Sequence, residues 1–274
     1  MMDFTQKKFK LSKTTINYVC VGSGPVLVFI HGLTNDWLTW TPLAEALKKS
    51  YKLYLIDLPG YGSSGTLPRY TISIQARCVH EFVKKLKIKP ESFVGTSMGA
   101  SVVAKLNELY PQSAKTFILI SAYFKTGWKK WLIRLYQTFL KTIRGYKLIT
   151  MLLKMVITSK VWVYCACALV NMEKFDRRLV DSFNLSGKKK MTKEAFVDMS
   201  ISTNNMDLAD TLRRCRKRTL LIQGTGDKIA NYESVKHILF REPKVSVIPV
   251  TGGGHLVFLE RPSEVAGIIK KYLT

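Results

Sequence analysis

The sequence predicts an α/β fold: a mostly parallel sheet flanked by helices, with one inserted helical cap. Three observations predict it. Short apolar runs rich in β-branched and aromatic residues alternate with helical patterns. The runs are continuously apolar rather than alternating, as strands covered on both faces require. The alternation stops after residue 123 and resumes near 218, leaving a stretch of helical character between.

In chain order, the predicted strands are "VLVFIHG" (26–32), "YKLYLIDLPG" (51–60), "SFVGTS" (92–97), "TFILISA" (116–122), "RTLLIQGTGD" (218–227) and "VSVIPVTGGGH" (245–255). Helices are predicted over 41–49, with Pro42 in the first turn, over 72–87, over 98–110, stopped by Pro111, and over 263–273 behind Pro262. The first ten residues, "MMDFTQKKFK", lack the apolar core of a signal peptide and read as an edge strand or a loose arm. The core is therefore expected over 1–123 and 215–274, with the cap over 124–214.

At 274 residues the chain can bury about three quarters of its unfolded surface, so its core needs no staples. The five cysteines are odd in number and scattered, and the expectation is reduced thiols in a cytoplasmic protein. Cys165 and Cys167 lack nearby histidines at ligand spacing, so neither metal nor cofactor is expected. The net charge is +24, and residues 124–214, with 18 basic and 7 acidic side chains, hold +11 of it.

The stretches with chemical potential all fall at predicted carboxyl ends of strands, where open α/β sheets place their sites. "FIHGL", "GTSMG", "GTGD" and "GGGH" each end one. A nucleophilic serine needs a base, and the base needs an acid to fix its tautomer and stabilise the imidazolium. Ser97, Asp227 and His255 supply the three in that order. Gly95 and Gly99 leave room for a sharp strand-to-helix turn that projects the serine above the sheet, facing the amides of the helix that begins at Met98.

These residues resemble the α/β-hydrolase superfamily, whose nucleophile elbow is G-x-S-x-G and whose triad runs serine, acid, histidine. The likeness covers residues 20–123 and 215–273 and implies the α/β-hydrolase fold, esterase- or lipase-like. It also implies an oxyanion hole built from the backbone N–H groups of Met98 and Leu33. Serine rather than aspartate at the elbow implies an acyl-enzyme, unlike the alkyl esters formed by the dehalogenases and epoxide hydrolases of this fold. Asp57, opening "DLPGYGSSG", matches a structural turn of the family, so Asp227 is the expected acid. His31, His80 and His237 are read as structural. Gly60 to Gly65 fits a dinucleotide fingerprint literally, but Pro59 intervenes and the next helix starts late, so cofactor binding is not expected.

The cap must set substrate choice. In "GWKKWLIRLYQTFLK", Trp128, Trp131, Leu132, Leu135 and Phe139 share one helical face, and Lys130, Arg134 and Lys141 gather on the other. Trp128 and Trp131 are expected to line the substrate pocket, and the same pattern suits peripheral contact with an anionic membrane surface. Lys154 and Lys160 interrupt the longest apolar stretch, so no spanning helix is expected. The basic clusters at 186–193 and 212–218 carry no nucleic-acid motif, and no nucleic-acid partner is expected. The expected activity is hydrolysis of a lipophilic acyl ester, such as a monoacylglycerol or lysophospholipid. The alternatives are a carbon–carbon hydrolase of the ring-cleavage-product type, a thioesterase, and a non-catalytic ligand-binding protein on the same scaffold.

Overall fold

The computed structural model describes residues 4–124, 191–239 and 242–274, with the isolated positions 138 and 151. Eight strands form one sheet: β1 (Gln6–Lys10), β2 (Thr15–Val21), β3 (Val26–Ile30), β4 (Lys52–Ile56), β5 (Pro90–Thr96), β6 (Thr116–Ile120), β7 (Thr219–Gly224) and β8 (Val245–Val250). Their order is β1-β2-β4-β3-β5-β6-β7-β8. β2 pairs antiparallel with both β1 and β4, and every pairing from β4 to β8 is parallel. All six predicted strands form, and they end earlier than the apolar runs do. The residues beyond the strand ends, such as Asp57 and Asp227, leave the ladder to make turns.

The amino-terminal segment is the edge strand β1 of the two readings, and its exposed lysines keep that edge polar. β2 was not expected. Asn17 breaks its apolar run, yet Asn17 is buried and its Nδ2 donates to Asp57 Oδ2 over 2.8 Å. A polar residue spent on an internal partner thus masked a strand. β8, at the opposite edge, is only half-buried, unlike the fully covered central strands.

Helices flank the sheet: α1 (Thr41–Leu47), α2 (Ile72–Lys85), α3 (Met98–Leu109), α4 (Lys193–Asn205), α5 (Leu208–Arg214), α6 (Tyr232–Leu239), α7 (Val257–Glu260) and α8 (Pro262–Leu273), of which α1, α2, α3 and α8 are the four predicted individually. Alternate strand residues feed two cores. Val28, Ile30, Phe93 and Phe117 pack with α2 and α3 on one face, and Leu27, Phe29, Val94 and Ile118 pack with α1, α7 and α8 on the other. α2 begins with Thr71 capping the Ile74 amide, and Pro262 opens α8. α4 is seated on the core by polar contacts. The Tyr70 amide donates to Asp198 Oδ2 at 2.9 Å, and the Ile72 amide donates to Ser202 Oγ at 2.9 Å.

The chain re-enters the sheet through one buried side chain. Asn107 of α3 donates from Nδ2 to the Lys217 carbonyl and to Thr219 Oγ1, both at 3.0 Å, and accepts from the Lys217 amide at 3.1 Å. It thereby fixes the start of β7 against α3. Asn107→Ala is expected to lower the unfolding free energy by about 2 kcal/mol, since it removes three hydrogen bonds at the start of β7 and leaves the partly buried Lys217 amide without its acceptor. Urea unfolding of the two proteins checks this.

Candidate active site

The turn between β5 and α3 is set by close packing. An added Cβ on Gly95 would lie 2.3 Å from the Gly99 carbonyl oxygen, and one on Gly99 would lie 2.2 Å from the Ile30 carbonyl oxygen. With both approaches closed to side chains, α3 can start directly against β3. Ser97 sits between them at φ 51° and ψ −116°, a left-handed conformation that costs a side-chain-bearing residue roughly 1–3 kcal/mol. Its amide still donates to the Ile120 carbonyl at 3.0 Å, so the strained residue is anchored to β6. Its side chain is partly exposed.

Ser97 Oγ lies 3.1 Å from His255 Nε2, and His255 Nδ1 lies 2.8 Å from Asp227 Oδ2. The three residues come from the ends of three strands, and both His255 and Asp227 are buried. Asp227 cannot donate when ionised, so Nδ1 carries the proton and Nε2 presents its lone pair to the serine. The carboxylate is fully engaged. Oδ1 accepts from the amides of Ile229 and Ala230, each at 2.8 Å, and Oδ2 also accepts from Gln223 Nε2 at 2.7 Å.

Leu33 and Met98 flank this group. A Cβ on Gly32 would lie 3.7 Å from Ser97 Cβ, which puts the turn carrying Leu33 beside the serine. The Met98 amide is the first of α3, whose dipole presents positive charge at the same point. Among the described residues no group accepts a hydrogen bond from either amide. Trp128 and Trp131 lie outside the described residues.

Two polar neighbours were missed by the sequence reading. Gln223 interrupts the apolar run of β7, and that interruption was its signal. Glu260 accepts from the Gly254 amide at 2.9 Å and so braces the loop that carries His255. Burial pushes its carboxyl above the usual range, with Asp227 adding to that, against the lowering effect of the backbone amides and Arg261. No local pattern around Glu260 marks this role.

The other expected assignments find physical reasons. Asp57 is completely buried and accepts from the Trp37 amide, the Ser63 amide and Asn17, which makes it the anchor of the loop after β4. The glycine-rich stretch from Gly60 is part of that anchored loop. His31 donates from Nδ1 to the Gly32 carbonyl at 2.8 Å, and its Nε2 accepts from the Leu58 amide at 3.0 Å, leaving no free ring nitrogen. His80 stacks on Tyr110 at 3.9 Å, and His237 is exposed on α6. Among the described residues no group of three His, Cys, Asp or Glu could hold a metal ion. None of the described helices is long and apolar enough to cross a membrane.

The comparisons with known proteins agree with this fold. A family model described as alpha/beta hydrolase fold matches residues 25–262. A candidate esterase/lipase of Haemophilus influenzae is 26% identical over 271 residues, covering 97% of this chain and 87% of that protein. The pimeloyl-[acyl-carrier protein] methyl ester esterase of Wigglesworthia glossinidia brevipalpis is 32% identical over 103 residues, 37% of this chain and 38% of that one. The solved structure of an esterase from Exiguobacterium antarcticum matches with a TM-score of 0.78 at 18% identity, covering 95% of this chain and 96% of that one, a likeness of fold.

Two predictions follow from the packing and the buried imidazole. Gly99→Ala is expected to destabilise by about 3 kcal/mol or more, because the obstacle is backbone. Gly267→Ala, in α8 with nothing within 4 Å of the added carbon, is expected to stabilise by roughly 0.5–1 kcal/mol. Thermal melts of both variants separate the cases. Burial lowers the His31 pKa and outweighs the raising effects of Asp57 and the Gly32 carbonyl. The unfolded chain therefore takes up the proton more readily, and this contribution to stability is lost as pH falls below about 6.5. Urea unfolding at a series of pH values, with the His31 ring followed by NMR, is expected to find the native imidazole still neutral at the onset of that loss.

Proposed function

The chain belongs to the alpha/beta hydrolase fold family, and from that premise we propose that it is a serine esterase acting on a carboxylic ester with a lipophilic acyl group. One observation carries this reading: the continuous relay from Ser97 Oγ through His255 to Asp227, set at the amino terminus of α3. A structural histidine would spend its second nitrogen on backbone, as His31 does. His255 instead directs it at a partly exposed hydroxyl.

In this reading His255 Nε2 takes the Ser97 proton as Oγ attacks the ester carbonyl carbon. The carbonyl oxygen becomes an oxyanion and accepts hydrogen bonds from the Met98 and Leu33 amides. Each such donor is worth roughly 3–4 kcal/mol in the transition state. Collapse expels the alcohol, which receives the proton from His255 and leaves Ser97 acylated. Water then attacks the acyl carbon and gives its proton to His255. The second collapse releases the acid and returns that proton to Ser97. Asp227, held by four hydrogen bonds, keeps the imidazole in the required tautomer and offsets its charge while it is protonated.

The ester preference is supported by the names of the Haemophilus and Wigglesworthia relatives. The lipophilic acyl group rests on the sequence of 124–214, read as a cap whose Trp128 and Trp131 line the pocket. A monoacylglycerol or lysophospholipid is the substrate class that fits such a lining.

Hydrolysis of p-nitrophenyl esters from acetate to palmitate tests the proposal. Ser97→Ala is expected to lower kcat/KM by roughly a thousandfold or more, and wild-type activity is expected to rise with acyl length. A sharp optimum at acetate would overturn the lipophilic part. Silence across the series together with no fluorophosphonate labelling of Ser97 would overturn the hydrolase reading.

A further inference from the structure

The parallel strands from β4 to β8 all point the same way, so their amino ends line one edge of the sheet, opposite the edge that carries Ser97, Asp227 and His255. Five of these six strands begin at a cation. Lys52 is the first residue of β4, and Lys89, Lys115, Arg218 and Lys244 each immediately precede β5, β6, β7 and β8. Only β3, entered through Ser23-Gly24-Pro25, does not. At about 4.8 Å between strands the row crosses roughly 24 Å.

The acids near this edge are already committed. Glu45 pairs with Lys48, Glu91 with Lys115, Glu242 with Arg213, and Glu108 and Asp210 with Arg214. Lys49, Lys52, Lys87, Lys89, Arg216 and Lys244 are left without an ion pair among the described residues, and all but the half-buried Lys52 are exposed. Helix dipoles do not account for them. The helices do end at this edge, and cations there are favourable, but the effect fades beyond the last turn. Lys87 and Lys89 lie past α2, Arg216 past α5, and Lys244 well past α6. Such crowding of like charge costs the isolated protein stability and is favourable only against an anion.

We propose that this amino edge is a docking face for an anionic lipid surface, with the Ser97 edge turned toward solution. Three features favour a lipid leaflet over nucleic acid. The cations are mostly lysines dispersed over separate loops, suited to diffuse charge rather than to phosphates at fixed spacing. Among the described residues no fully exposed aromatic side chain stands beside them to stack a base: Tyr51 and Tyr54 are buried, and the half-buried Tyr110 and Tyr272 rings are engaged by His80 and Arg218. Leu109, at the end of α3 on the same edge, is 40% exposed and offers an apolar contact.

Vesicle co-sedimentation tests the proposal. The wild type is expected to bind phosphatidylcholine vesicles containing about one third phosphatidylglycerol at low salt, and to dissociate as salt screens the attraction. Pure phosphatidylcholine should not retain it. A variant combining Lys49→Gln, Lys52→Gln, Lys87→Gln, Lys89→Gln and Lys244→Gln is expected to bind at least fiftyfold more weakly, since each lysine near such a surface is worth roughly fivefold. Its circular dichroism and melting curve should match the wild type, and the same five positions changed to arginine should retain binding. The idea is overturned if pure phosphatidylcholine binds equally, or if the glutamine variant binds like wild type. It is equally overturned if the loss follows Lys129→Gln, Lys130→Gln and Arg134→Gln instead, or if an oligonucleotide duplex binds more tightly than the vesicles. None of these outcomes depends on turnover at Ser97.

Discussion

The backbone of Ser97 is the constraint on which the site depends. Its left-handed φ of 51° exists because Gly95 and Gly99 allow α3 to start against the carbonyls at the end of β3. An ordinary strand-to-helix connection would let the serine relax and turn its hydroxyl away. The strain is held by the sheet: the Ser97 amide bonds to Ile120, and Phe93 and Val94 lock β5 into the two apolar cores. A strained residue persists only where its surroundings over-determine it. The size of the core is therefore a condition of the site as well as of the fold.

Two buried carboxylates stand at the same edge of the sheet, and their partners separate their roles. Asp57 accepts from two amides and from Asn17, so its whole capacity goes to holding the β4 loop and β2. Asp227 is equally saturated, but one of its bonds is to an imidazole whose other nitrogen faces a hydroxyl. The two buried histidines differ in the same way. His31 spends both nitrogens on backbone groups, and burial favours its neutral form. Only the Asp227 and His255 pair leaves a basic lone pair directed at a reactive partner.

The site residues were legible because each sits in a short motif at the end of an apolar run, where a change from strand to turn marks the sequence. Glycines two residues either side of a serine are likewise a local signal. What was not legible depends on distant partners. β2 was hidden by Asn17, whose reason for being polar lies forty residues on, at Asp57. Asn107 reads as an ordinary helix residue until β7 is seen to begin beside it. Glu260 differs, because its partner Gly254 lies only six residues earlier and no local pattern marks the turn that brings the two together. Trp128 and Trp131 fall outside the described residues, so the pocket they were expected to form rests on the sequence pattern alone.

The polarity of a parallel sheet links the two edges. Crossover helices bring their amino ends to the carboxyl edge of the strands and their carboxyl ends to the amino edge. At the first edge the positive end of α3 meets the serine, and the acids there are buried and hydrogen-bonded. At the second edge the negative helix ends call for cations, and the loops supply more than those ends require. The charge of +24 is therefore partly an arranged quantity in the core itself, carried by the loops that enter β4, β5, β7 and β8 and not by the 124–214 segment alone. Basic residues set far apart along the chain become neighbours only through the strand order, which is why a reading by sequence clusters assigned the surplus to the insertion. An edge that gathers charge while the opposite edge gathers chemistry lets one protein be held by its surroundings without obstructing its site.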